Sequence, residues 1–260
     1  MMAIQLGTVT RPWNGYSWEE FLQGTADAGY DCIGTTRLSG EWVVADDIPL
    51  DTIKQRRADV EAAGLTTSTC WANFPLDEGP EAAEKGLRGF IDATAAFGAP
   101  YLLSCGTSRE ADVDLYFDTM AACCDYAAEQ GVMLTLKPHG GITDTGADLL
   151  YALDRIDHDN FGLYYDAGNV MHYKGLDPVN ELRICAEHVV GMCVKDSLGM
   201  LEGVNILPGT GVVDFEGVFD ELLGAGFDGH LVVECLGGET LDEVNARAVE
   251  CHNWLVEMTS

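Results

Sequence analysis

The sequence predicts an α/β fold, a (β/α)8 TIM barrel that takes residues 1–260 as a single domain. Three observations carry this reading. Short β-rich apolar runs recur eight times, segments with helical periodicity separate them, and no long linker, fixed-period repeat or low-complexity tract divides the chain. Runs that are apolar on both faces belong to strands covered on both sides, as in a parallel sheet under helices. An open doubly wound sheet is the competing arrangement. It calls for a Gly-rich phosphate turn after the first strand, and "GTVTRPWNG" lacks the GxGxxG spacing.

The predicted strands are, in order, "AIQLGT" from Ala3, "YDCIGTT" from Tyr30, "TTSTCWA" from Thr66 and "YLLSCG" from Tyr101. The second half adds "VMLTLKP" from Val132, "FGLYYDAG" from Phe161, "VVGMCVKD" from Val189 and "HLVVEC" from His230. The first helix, "SWEEFLQGTADAG", opens on Ser17 as N-cap with Glu20 three residues on, and closes at Gly29. "DLYFDTMAACCDYAAEQG" is alanine-rich and ends at Gly131, and "DFEGVFDELLGAG" begins with Asp214 as cap. The last helix, Thr240 to Met258, spaces Val244, Ala248, Cys251 and Leu255 along one face.

Composition narrows the function. The 260 residues can bury a substantial core, and 47% hydrophobic content reads as soluble and globular. With 14 Lys plus Arg against 43 Asp plus Glu, the net charge is −29. Such a surface repels nucleic acid and anionic membranes, and "KQRR" at Lys54 to Arg57 is one basic turn rather than a phosphate-binding face. The acid excess reads as salt adaptation, as in a halophilic source, or as a generic solubility device. The 9 cysteines are odd in number, scattered and without a CxxC, which favours buried free thiols and a cytoplasmic, reduced protein. "MMAIQLGTVTRP" lacks the basic start and apolar core of a signal peptide, and no 18-residue apolar stretch suggests a membrane span.

Active sites of such barrels gather at the carboxyl ends of the strands. There the sequence offers Trp71, Cys105, Lys137 with His139, Asp166 with Asn169, Lys195 with Asp196, and Glu234. Glu234 directly follows "LVV", and packing does not explain it, since burying a carboxylate unpaired costs several kcal/mol. Asp166 reads as a catalytic carboxylate or as a turn aspartate capping the next segment. Lys137, at the end of "LTLKPHGG", either pairs with a carboxylate for structure or serves as acid, electrophile or charge anchor. His139 sits in a loop shaped by a proline and two glycines and could bind a substrate oxygen. Lys195-Asp196 reads as a substrate contact or as a plain surface ion pair. Arg11 in "TRPWNG" binds a phosphate or braces its loop. His158, His188 and His252 fall in helix or loop patterns and read as structural or exposed.

The stretches "GVMLTLKPHGG", "NFGLYYDAGN", "HVVGMCVKDS" and "LPGTGVVDFEGVFDELLGAGFDGHLVVE" resemble the xylose isomerase-like barrels of the sugar phosphate isomerase/epimerase superfamily. That group (AP endonuclease family 2-like) includes tagatose epimerases, hydroxypyruvate isomerase, inosose dehydratase and endonuclease four. The resemblance implies one divalent metal held by a glutamate on strand five, an aspartate on strand six, a histidine on strand seven and a glutamate on strand eight. Carried over by position, it gives Asp166 and Glu234 as metal ligands. Lys137 stands in place of the first glutamate and Cys193 in place of the histidine. Two carboxylates alone are a poor site for Mg²⁺ or Mn²⁺; His139 or His172 could substitute, and a Cys193 thiolate would favour zinc.

The expected chemistry is therefore electrostatic. A Lys137 ammonium takes the metal's place between Asp166 and Glu234, polarises a carbonyl, and Glu234 moves a proton on the adjacent carbon. Schiff-base chemistry at a Lys137 of lowered pKa is the less favoured variant. Substrate contacts are expected from His139, Asn169, Trp71, Lys195, Arg11 and Trp13, with the tryptophans and Phe74 as apolar walls for a sugar ring or as ordinary core. The leading expectation is an isomerase or epimerase of a small carbohydrate, and the family resemblance implies a homo-oligomer. A lyase acting on a keto-inositol or 3-keto-glycoside, and a barrel that binds sugar without turnover, are the alternatives.

Overall fold

The computed structural model describes residues 4–260, so Ala3, where the first predicted strand begins, lies outside the described residues. The barrel strands are β1 (Gln5–Val9), β2 (Cys32–Thr35), β3 (Thr66–Trp71) and β4 (Tyr101–Ser104). They continue as β5 (Met133–Leu136), β6 (Phe161–Tyr165), β7 (Val189–Val194) and β8 (His230–Val233). Each pairs in parallel with the next, and β8 returns to β1, with Val232 opposite Gly7, to close the ring.

Closure explains why the strands are apolar on both faces. Side chains alternate along a strand. One set, including Val9, Trp71, Leu103, Tyr164, Cys193 and Val232, fills the barrel interior. The other, including Leu134, Leu136, Leu163, Met192, Val194 and Leu231, packs under the helices. Positions 137, 166, 195 and 234 lie at even spacing from Thr135, Tyr164, Cys193 and Val232, so the same alternation aims them inward.

The outer helices are α1 (Trp18–Asp27), α2 (Leu50–Ala62), α3 (Pro80–Phe97), α4 (Val113–Glu129) and α5 (Gly146–Ile156). After them come α6 (Ala167–Lys174), α7 (Pro178–Cys185), α8 (Phe215–Gly224) and α9 (Leu241–Met258). The predicted start of α1 is a full capping box: Ser17 Oγ accepts from the Glu20 amide at 3.2 Å, and the Ser17 amide donates to the Glu20 carboxylate at 2.7 Å. Thr145 with Asp148 and Thr240 with Glu243 repeat it at α5 and α9. Each such cap contributes about 1 kcal/mol. Helix α9 buries Val244, Ala248, Cys251 and Leu255, the face its spacing predicts.

Two features escaped the sequence pattern. A short antiparallel hairpin, Arg37–Leu38 with Glu41–Trp42, rises between β2 and α2. The β6–β7 connection is broken into α6 and α7 at Gly175, whose positive φ of 63° ends α6. All nine cysteines are free, and among the described residues no helix is long and apolar enough to cross a membrane.

Candidate active site

Four charged side chains converge at the carboxyl ends of β5 to β8. Lys137 Nζ lies 2.8 Å from Asp166 Oδ2 and 2.5 Å from Glu234 Oε2. Lys195 Nζ lies 3.1 Å from Asp166 Oδ2 and 3.1 Å from Glu234 Oε1. Both ammoniums therefore touch both carboxylates in a closed square. All four residues are buried, Lys137 and Asp166 completely. A fifth charge joins from the β1 side, where Arg11 Nη1 donates to Glu234 Oε1 at 2.6 Å. Lys137 also stands 5.5 Å from the centre of the Trp71 ring and 3.6 Å from Cys193 Sγ.

The backbone around these residues explains their placement. Asp166 follows β6 as the N-cap of α6: its Oδ1 accepts from the Asn169 amide at 2.8 Å, while Oδ2 has no aligned hydrogen bond and faces the ammoniums alone. The catalytic and capping readings of Asp166 are thus compatible, one per oxygen. Gly168 lets α6 lie against β7, since a Cβ there would sit 2.3 Å from the Lys195 carbonyl oxygen. Asp196 points away from its neighbour. Its oxygens accept from the amides of Ser197, Gly209, Gly211 and Val213 at 2.8, 2.9, 2.7 and 3.2 Å, folding the "PGTGV" loop onto the end of β7.

The electrostatics follow from these contacts. Desolvation works to lower the Lys137 pKa, but Asp166 and Glu234 outweigh it and hold the ammonium well above its ordinary value. Lys195 is raised by the same two carboxylates against the same opposition. Burial would raise Glu234, yet Lys137, Lys195 and Arg11 together keep it well below the usual carboxylate range. Burial pushes the Cys193 thiol well up, so it stays protonated. His139 lies at the rim, with Tyr173 Oη 3.4 Å from its Nε2. Lost solvation and the two ammoniums push its pKa down to about 4, leaving a neutral imidazole at pH 7.

Several expectations need correction. Trp13 is no wall for a ligand: it is fully buried, its indole nitrogen donates to Asn245 at 2.9 Å, and it packs edge-on against Phe21. Asn169 is buried too, and its side chain donates to the Pro138 carbonyl at 2.6 Å, bracing the β5 loop instead of facing a substrate. Lys195 and Asp196 are not a surface pair, because consecutive residues project to opposite sides of a strand end. Lys195 belongs with the central charges. Its signal in the sequence was parity, two residues beyond the interior Cys193.

The metal expectation meets a geometric test. Donor atoms of Asp166, Cys193 and Glu234 lie within 4.8 Å of one another, near enough for three ligands of one ion. An ion among them would have to stand where Lys137 Nζ stands, and metal–oxygen or metal–sulfur bonds of about 2.0–2.6 Å leave no room for both. Neither His139 nor His172 joins that donor group, and the thiol keeps its proton. With Lys137 in place the residues do not fit a divalent metal. The positive charge at this point is an ammonium.

Two cavities open at the carboxyl-end face of the barrel. One, of about 310 Å³, opens beside Phe74, Cys105 and Tyr116 at the ends of β3 and β4. Another, of about 570 Å³, lies between Arg11 and the hairpin. A groove near Tyr101 and His230 is at the opposite, amino ends of the strands.

This is a closed parallel barrel with its polar centre at the carboxyl-end mouth, the architecture of many barrel enzymes. The chain belongs to the xylose isomerase-like TIM barrel family, whose model matches residues 22–257. An inosose dehydratase of Geobacillus thermodenitrificans is 30% identical over 272 aligned positions, covering 89% of each chain. L-ribulose-5-phosphate 3-epimerase UlaE of Shigella boydii is 34% identical over 96 positions, covering 36% of this chain and 32% of the epimerase. Among solved structures, a D-psicose 3-epimerase aligns with a TM-score of 0.82 at 10% identity, covering 98% of this chain and 99% of that one. An L-ribulose 3-epimerase aligns at 0.77 and 20% identity, covering 98% and 94%. At those identities the structures establish the fold.

Proposed function

We propose that the barrel is an enzyme acting on a small carbonyl sugar, an isomerase or epimerase that moves a proton on the carbon next to the carbonyl. The observation that carries this is the pair of buried ammoniums, Lys137 and Lys195, each touching both Asp166 and Glu234. Removing a proton beside a carbonyl builds negative charge on the carbonyl oxygen. Preorganised cations in a water-poor site stabilise that charge, an effect worth roughly 10²–10³ in rate for a single donor.

In the resting site the cations are shared with the carboxylates, which keeps Glu234 ionised but weakly basic. A substrate oxygen that accepts a hydrogen bond from Lys137 draws the ammonium off Glu234. The carboxylate then gains basicity and takes the proton from the adjacent carbon; reprotonation of the former carbonyl carbon isomerises the sugar, and reprotonation of the same carbon on its opposite face epimerises it. The neutral ring of His139 is suited to a sugar hydroxyl at the rim. Trp71 offers an apolar face beneath.

A second reading, dehydration, is favoured by one observation: the inosose dehydratase of Geobacillus thermodenitrificans is 30% identical over 89% of the chain. Dehydration begins with the same abstraction and then expels a β-hydroxyl. The test is exchange of substrate hydrogen into D₂O over a panel of ketoses and keto-inositols, with mass analysis of products. Exchange at unchanged formula supports isomerisation or epimerisation, and loss of water supports the lyase. No exchange with any compound, from wild type and Glu234→Gln alike, leaves only a sugar-binding barrel.

A further inference from the structure

We propose that the cavity between Arg11 and the hairpin is an anion subsite, so that the substrate carries a phosphate or carboxylate group beyond its reacting carbonyl. The second clause rests on the catalytic reading above; the first stands without it.

The cavity, about 570 Å³, is of a size that takes a small ligand. Its lining includes Arg11, Arg37, Asn14, Asn205, Trp42 and Gly238, and no acidic residue. In a chain with 43 Asp plus Glu and only 14 Lys plus Arg, a cavity that gathers two arginines and excludes carboxylates is a local reversal of the surface charge. An anionic ligand approaching a protein of net charge −29 needs such a reversal.

Neither arginine is used up by the protein. Two ammoniums already balance the two central carboxylates, which leaves Arg11 as the surplus positive charge of the site. Its hydrogen bond to Glu234 runs through Nη1, and a guanidinium has five donors. Arg37 stacks on Trp42, its carbon 4.9 Å from the ring centre, and donates to the Gly40 carbonyl at 3.2 Å through Nη1. Stacking fixes the guanidinium plane and leaves its other edge for an oxyanion. Because Arg11 touches Glu234 on one side and lines the cavity on the other, an anion there is tied within a few bonds of the reacting carbons.

Calorimetric titration of the intact protein with inorganic phosphate at low ionic strength tests this, beside Arg37→Gln and the control Lys54→Gln on exposed α2. Expected are one phosphate per chain, affinity at least tenfold weaker in Arg37→Gln with an unaltered circular dichroism spectrum, and no change in Lys54→Gln. An acetate arm separates the sources: binding of phosphate alone assigns a phosphate group, and acetate binding with the same Arg37 dependence assigns a carboxylate. No phosphate or acetate binding by wild type, or equal affinity in Arg37→Gln, overturns the proposal. Turnover of neutral ketoses without anion binding would sink this subsite and spare the catalytic reading; anion binding without any exchange would do the reverse.

Discussion

Oδ1 of Asp166 caps α6 while Oδ2, on the same carboxylate carbon, faces Lys137 and Lys195 at 2.8 and 3.1 Å. Residues with such divided duties make the cluster sensitive to single changes. Replacing Lys137 by Met keeps the volume but leaves Asp166 and Glu234 buried with one ammonium fewer. Breaking a buried ion pair in this way costs about 3–5 kcal/mol. Urea denaturation of Lys137→Met should show a loss of that size, and D₂O exchange should fall by about 10²-fold or more; a variant as stable and active as wild type would refute the role. Glu234 supplies a pH test. Its folded-state pKa is depressed, so its stabilisation is present above the unfolded value of about 4.3 and is lost as pH falls through the folded value. Melting temperatures of wild type and Glu234→Gln should therefore converge as pH drops from 7 to 3. Parallel curves would remove the ion pairing as a source of stability.

Elements differ in how much they shape the site. Gly168 opens α6 directly against β7, and a methyl there would meet the Lys195 carbonyl at 2.3 Å. Gly168→Ala should displace the Asp166–Lys195 contact and reduce turnover by an order of magnitude or more. Thr240→Ala removes the cap of α9, whose hydrogen bonds run to Glu243 and reach none of the four central charges, and should cost about 1 kcal/mol of stability while leaving kcat within twofold. Equal effects of the two on turnover would deny the specific link between α6 and the cluster. The same contrast explains what could be read in advance. Strand ends and capped helices announce themselves locally, as Ser17–Glu20 and the α9 face did. The hairpin at Arg37–Trp42 has two residues per strand and no period to detect. Trp13 and Asn169 looked like site residues from position alone; their partners, Asn245 and the Pro138 carbonyl, are 232 and 31 residues away and exist only in the fold. Lys195 was visible as a strand-tip cation, but its adjacency to Asp166 and Glu234 required the curvature of a closed ring.

At the scale of the molecule, the net charge of −29 surrounds a centre that holds three cations and two carboxylates. Self-repulsion of the acidic shell opposes compactness and is screened by salt. Melting temperature should rise by several degrees between 0.1 and 2 M KCl at pH 7, and a flat or falling curve would show that the shell does not strain the fold. The centre, water-poor and paired, should respond much less. The central proposal is that Lys137 supplies the positive charge that the family resemblance assigns to a divalent metal. The most direct measurement is D₂O exchange by enzyme treated with a strong chelator, with metal content determined on the same sample. Exchange at the untreated rate with far less than one metal per chain is the predicted result; exchange that vanishes on chelation and returns with Mn²⁺ or Zn²⁺ would contradict it.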